Sequence, residues 1–128
     1  MKLARKEFEE AVVSALRGLP PFFKKKMENI DVVVEDEASD ALRSEMGLRS
    51  PLDLLGLYQG IPLDRRGFFY GNVLPDKITL FQRPIESLCQ TEEDVKEKIR
   101  DVVIHEVGHY FGLSEQRLRE LENERRKR

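Results

Sequence analysis

The sequence predicts an α+β fold, with helices around a small mixed sheet of about three or four strands and one long helix beneath it. Three observations predict it. Apolar residues recur at three- and four-residue steps towards both ends of the chain, the pattern of one-sided helices. Three short segments between them, Ile30–Glu35, 54–59 and 77–82, are rich in β-branched and aromatic residues or alternate in polarity. Glycine, proline and asparagine lie between those segments, as turns require.

The elements follow in order. Phe8, Ala11, Val12, Ala15, Leu16 and Leu19 line one face of an opening helix, and Gly18 with Pro20-Pro21 ends it. A short helical piece over 22–28 comes next, with Pro21 tolerated in its first turn. Ile30–Glu35 reads as the first strand, and 37–49 as either a short helix or a long loop. The second strand, 54–59, is bounded by Pro51 before it and by Gly60 and Pro62 after it. Between 64 and 76, Gly67, Gly71, Asn72 and Pro75 surround Phe68-Phe69-Tyr70, which is turn chemistry around a brief extended piece. The third strand, 77–82, puts Ile78 and Leu80 on one face and Thr79 and Phe81 on the other. Pro84 closes it, and a helical turn through Glu86, Ser87 and Leu88 follows.

The longest helix starts at Thr91, with Asp94 placed to complete a near capping box and Glu92 and Glu93 suited to the positive helix end. Val95, Ile99, Val102, Val103, Val107, Tyr110 and Phe111 supply its buried face. Gly112 ends or kinks it, and Ser114 can cap a further helix through Leu118 and Leu121. The basic tail reads as a solvated helix end.

Composition bounds the function. The 128 residues are 40% hydrophobic and 36% charged with a net charge of -2, which fits one small domain spanning 1–128. That balance points away from a nucleic-acid or membrane partner. No apolar run approaches the roughly 18 residues needed to cross a bilayer. The start, MKLARKEFEE, lacks the apolar core of a signal peptide, so a cytoplasmic location is expected. Cys89 is the single cysteine, which excludes an internal disulfide and any CxxC site.

Residues 105 to 109 carry the chemistry: His105-Glu106-Val107-Gly108-His109, or HExxH. Positions four apart on a helix lie about 40° apart and one turn along the axis, so both imidazoles can reach one ion. Glu106 projects from the same broad face, where it can act as general base on a metal-activated water. A histidine at the edge of a helix is more often structural. Here both histidines of the chain fall in the motif, and its chance occurrence is roughly 0.3% by composition.

Two protein ligands are too few for a zinc site with one open position. The motif extends to HExxHxxGxxE, ending at Glu115. On a straight helix Glu115 would lie about 15 Å beyond His105 and point about 80° away from it. Gly112 can adopt positive φ and turn the chain back, so Glu115 is the expected third ligand of a His₂Glu site, with zinc the expected ion. As a surface residue beside Ser114, Glu115 would otherwise serve only the helix dipole.

The sequence resembles the zincin metallopeptidases, and within them a small zincin-like family of bacterial single-domain proteins. HEVGHYFGLSE carries the resemblance, and LLGLYQGIPLDRRG and ITLFQRPIE are similar to that family's pattern. It implies His105, His109 and Glu115 as zinc ligands, Glu106 as general base, and a peptide or protein substrate. By the same resemblance 77–82 would be the edge strand that pairs with extended substrate. Two departures set the chain apart from metzincins: their third ligand is typically histidine, and Met1, Met27 and Met46 all precede the motif, leaving no methionine turn. Thermolysin-like enzymes draw a glutamate ligand from a later helix, which makes Glu120 or Glu122 the substitutes for Glu115. Tyr70, Tyr110 and Arg83 are candidates for steadying the oxyanion, each also explicable as packing or surface. The competing expectation is a metal-binding module with little peptidase activity that acts through a protein partner, since 128 residues leave little chain for a second lobe.

Overall fold

The structure, a computed structural model, describes residues 1–60 and 75–126. The predicted turn segment around Phe68-Phe69-Tyr70 lies outside the described residues, as do residues 127–128 of the basic tail. The described residues form helices α1 (Arg5–Arg17), α2 (Pro21–Met27), α3 (Asp40–Met46), α4 (Gln82–Ser87), α5 (Glu92–Tyr110) and α6 (Glu115–Arg126). They also form strands β1 (Ile30–Glu35), β2 (Gly56–Gln59) and β3 (Asp76–Phe81). None of these helices is long and apolar enough to cross a membrane.

The stretch 37–49, ambiguous in sequence, resolves into α3. Ser39 Oγ accepts from the Leu42 N–H at 3.1 Å, an N-cap that a loop would not need. α4 starts directly after β3, and Pro84 sits in its first turn, where the missing N–H removes no helical bond.

β3 is the central strand. It pairs in parallel with β1, Val32 opposite Ile78 and Val34 opposite Leu80, and antiparallel with β2, Gly56 opposite Leu80 and Tyr58 opposite Ile78. The expectation that 77–82 is an edge strand is therefore corrected. The physical reason lies in burial on both faces: Ile78 and Leu80 are 0% exposed on one, Thr79 and Phe81 only 3% and 1% on the other. A strand covered twice carries a near-continuous apolar run, as ITLF does. Among the described strands the edges are β1 and β2.

The capping box of α5 forms as predicted. Thr91 Oγ1 accepts from the Asp94 N–H at 3.0 Å, and Asp94 Oδ2 accepts from the N–H groups of Thr91 at 3.2 Å and Gln90 at 3.0 Å. From that start α5 packs along α1 and against β2 and β3. Val95, Ile99, Val103, Ile104 and Val107 are fully buried in one cluster with Phe8, Phe23, Ile78, Leu80 and Ile85. Burying each such side chain is worth about 1.5–3 kcal/mol. The core thus fixes the long helix against the sheet, and with it the HExxH segment in its last turns.

Candidate metal centre

α5 ends in a way that brings the chain back. Gly112 has φ +82°, the Gly112 N–H donates to the His109 carbonyl at 3.0 Å, and the Leu113 N–H donates to the Gly108 carbonyl at 2.8 Å. These are the two bonds of a Schellman motif, which needs a left-handed residue and so favours glycine there. Ser114 then caps α6, its Oγ accepting from the Arg117 N–H at 3.1 Å. Glu115 becomes the first residue of α6, facing the histidines it follows in sequence.

A second glycine permits the return. A Cβ on Gly108 would lie 2.4 Å from Leu118 Cδ2, and Leu118 is 0% exposed. α6 therefore rests directly on the backbone of α5, one turn past Glu115.

The geometry is compact. His105 Nε2 lies 3.3 Å from Glu115 Oε2, and the His109 Nε2–H donates to Glu115 Oε1 at 2.5 Å. The two imidazole centroids are 4.8 Å apart with planes at 61°. Ligand atoms of His105, His109 and Glu115 all fall within 4.8 Å of one another, the only such group found among the described residues. Donors at about 2.0–2.2 Å from a tetrahedral ion stand about 3.3 Å apart. The His105–Glu115 separation matches that figure. The His109–Glu115 contact is shorter, at hydrogen-bond length. With two imidazoles and one carboxylate, the donor set suits zinc.

Charge complements this arrangement. Desolvation pushes the Glu115 carboxyl up, but the hydrogen bond from His109 and the charges of His105, His109 and Arg119 together keep it below the usual range. Glu106 goes the other way. Burial raises its carboxyl, against the opposing pull of His105 and His109 and of a hydrogen bond from the Tyr58 N–H.

That bond ties the helix to the sheet edge. The Phe81 N–H donates to the Leu55 carbonyl at 3.0 Å, so along β2 the groups of Leu57 and Gln59 also face β3, while those of Gly56 and Tyr58 face outward. The outward Tyr58 N–H reaches Glu106. No described strand pairs with that outer edge. Beside it a cleft of about 340 Å³ is lined by Leu54, Leu55, Gly56, Val102, His105 and Glu106, with Lys98 and Asp101 completing it.

A family model described as zincin-like metallopeptidase matches residues 27–125. The chain belongs to that family. No curated protein is significantly similar to it. In the zincin-like chain His105, His109 and Glu115 lie together, with Glu106 beside His105 in the cleft. Of the alternative ligands, Glu120 instead accepts from Arg117 at 3.2 Å, and the Glu122 side chain is outside the description. Of the oxyanion candidates, Tyr70 lies outside the described residues. Arg83 lines a separate cavity with Arg5 and Glu86 and pairs with Glu37 at 3.2 Å. Tyr110 stacks on Tyr58 with centroids 4.1 Å apart. Sequence inspection misses Tyr58 and Gly108: the first acts through sheet register, and the second occupies a variable position of HExxH with no local signal.

Proposed function

We propose that this chain is a zinc-dependent peptidase in which His105, His109 and Glu115 hold the ion and Glu106 is the general base. One observation carries the proposal: three ligand atoms converge within 4.8 Å on the face where Glu106 is held against the outer edge of β2. Zinc bound there would supply Lewis acidity towards the scissile carbonyl and an attacking water. Glu106 would take a proton from an attacking water and pass it to the leaving amine. Burial, which raises the Glu106 carboxyl, makes it a stronger base than an exposed carboxylate and a competent acid after the attack. The Tyr58 N–H orients it.

Substrate is proposed to lie extended along β2 rather than β3. The outward N–H and C=O of Gly56 are main-chain groups placed to pair with it.

The exposure of the ligands, 44% for the His109 side chain and 51% for Glu115, favours a second reading as a metal-binding module acting through a protein partner. Such a module needs the histidines but not Glu106. Zinc content distinguishes the cases in wild type, His109→Ala and Glu115→Ala after equilibration with limiting zinc. Near one ion per wild-type chain and loss in both variants supports the His₂Glu site. Retention in Glu115→Ala moves the third ligand elsewhere, and no zinc in wild type removes both readings.

A further inference from the structure

A second groove lies at the other end of β2 from the cleft at Gly56. It has a volume of about 570 Å³, and its walls include Phe22, Lys25, Lys26, Tyr58, Asp76 and Phe111. Two of its rings are unusually open for their type, Phe22 at 48% and Phe111 at 40% exposed. Lys26 Nζ sits between them, 4.5 Å from the Phe111 centroid and 5.4 Å from that of Phe22. Cation–π contact on two sides holds that ammonium in place. Neither Lys25 nor Lys26 takes part in an ion pair among the described residues.

The charge of the groove is set by the last turn of α2, which carries Lys24, Lys25 and Lys26 in succession. Two acids share the walls. Asp76 is only 8% exposed, and its carboxylate accepts from the Tyr58 hydroxyl at 2.5 Å. That leaves Glu28 as the one exposed acid of the walls against two lysines, Lys25 and Lys26, with Lys24 on the same turn of α2 outside them. The groove therefore offers apolar ring faces under a positive field.

It is also continuous with the catalytic edge. Tyr58 belongs to both: its N–H serves Glu106, and its ring stacks on Tyr110 and lines the groove. Beyond Tyr58, the next outward position of the edge is Gly60, which lies against the Tyr110 hydroxyl. A strand added antiparallel to β2, the more stable pairing, runs opposite to the direction Gly56 to Gly60. Its amino-terminal residues then pass Gly60 and enter the groove.

We infer that this groove binds an acidic stretch of the peptide substrate, two to four residues on the amino-terminal side of the scissile bond. The inference rests on the peptidase reading for its register, but its ligand chemistry can be tested apart from turnover.

The test uses three fluorescein-labelled degenerate decapeptide pools. One has two Asp fixed in its amino-terminal half, one has two Lys in the same places, and one has two Asp in its carboxy-terminal half. Binding to zinc-loaded Glu106→Gln protein is read by anisotropy, and cleavage by zinc-loaded wild type is read by mass spectrometry. The first pool is expected to bind and to be cleaved about 3–10-fold better than the other two, with the difference shrinking at high salt. Lys26→Glu and, separately, Lys25→Glu should abolish that preference while the zinc content and melting temperature stay at the parent's values. Equal binding of the three pools, a preference for the third, or a preference unchanged in both variants overturns the groove. Binding of the first pool that Lys26→Glu removes, without cleavage of any pool, sustains the groove and sinks the peptidase reading instead.

Discussion

Glu106 and Asp94 both titrate away from their ordinary values, for opposite reasons. Glu106 is raised chiefly by burial, and its proposed task depends on the carboxylate alone. Glu106→Gln keeps the shape and the metal ligands, so zinc content should be unchanged while turnover falls by about 10²–10⁴-fold or more. Hydrolysis at the wild-type rate in that variant would falsify the assigned base. Asp94 is lowered, first by the hydrogen bond from the Gln90 N–H and further by the N–H and hydroxyl of Thr91, against opposing desolvation. A carboxyl whose folded pKa lies below its unfolded one stabilises the fold fully above the unfolded value, and that contribution disappears as pH falls through the folded value. Wild type should therefore melt above Asp94→Asn at neutral pH, with the gap closing as pH drops below about 4. A gap that stays constant with pH would show that the charge of Asp94 does not support the helix start.

At the scale of elements, the junction between α5 and α6 decides whether there is a metal site. Gly108→Ala tests it. Alanine gains about 1 kcal/mol of helix propensity over glycine, while forcing a methyl to 2.4 Å from the fully buried Leu118 costs about 1–3 kcal/mol. The net effect on stability is expected to be small and unfavourable. The effect on zinc should be larger, because Leu118 and Glu115 ride on the same turn of α6. Zinc affinity is expected to fall about 10–100-fold, the usual cost of disturbing the support of a ligand. Unchanged affinity would mean that α6 re-seats without carrying Glu115 away. At the start of α5, Thr91→Ala removes the hydroxyl that accepts from Asp94 and should cost about 0.5–2 kcal/mol by denaturant unfolding.

Across the whole molecule, one core joins α1, α2, α5, the sheet and Leu118 and Leu121 of α6, so the site depends on residues remote from it. Ile99, 0% exposed, packs in that cluster with Phe8 and Val103. Ile99→Ala should lower stability by about 2–5 kcal/mol. A loss under about 1 kcal/mol would show that α5 is not held by this core. Zinc should act on the same equilibrium from the other end. At a free concentration 100-fold above its Kd, it adds about 2.7 kcal/mol if only the folded chain binds it. The accompanying rise in melting temperature should be absent in His109→Ala, and a rise that persists there would place the stabilising ion elsewhere.

Features that depend on near neighbours were legible in the amino-acid sequence. The caps at Thr91 and Ser114, the paired histidines of α5, and the break at Gly112 all act within a few residues, where spacing and backbone preference suffice. Glu115 was legible for the same reason: a positive φ at Gly112 is a local event, and it returns the next helix to the histidines. Strand order was not local. Whether 77–82 lies at the edge or the centre depends on which strands flank it, and only the pairing of β1 and β2 on either side made it central. The outward Tyr58 N–H on Glu106 and the fit of Leu118 over Gly108 were likewise decided by tertiary structure. Each is a contact between elements whose relative placement comes from burying a shared core, and no spacing along the chain encodes that placement.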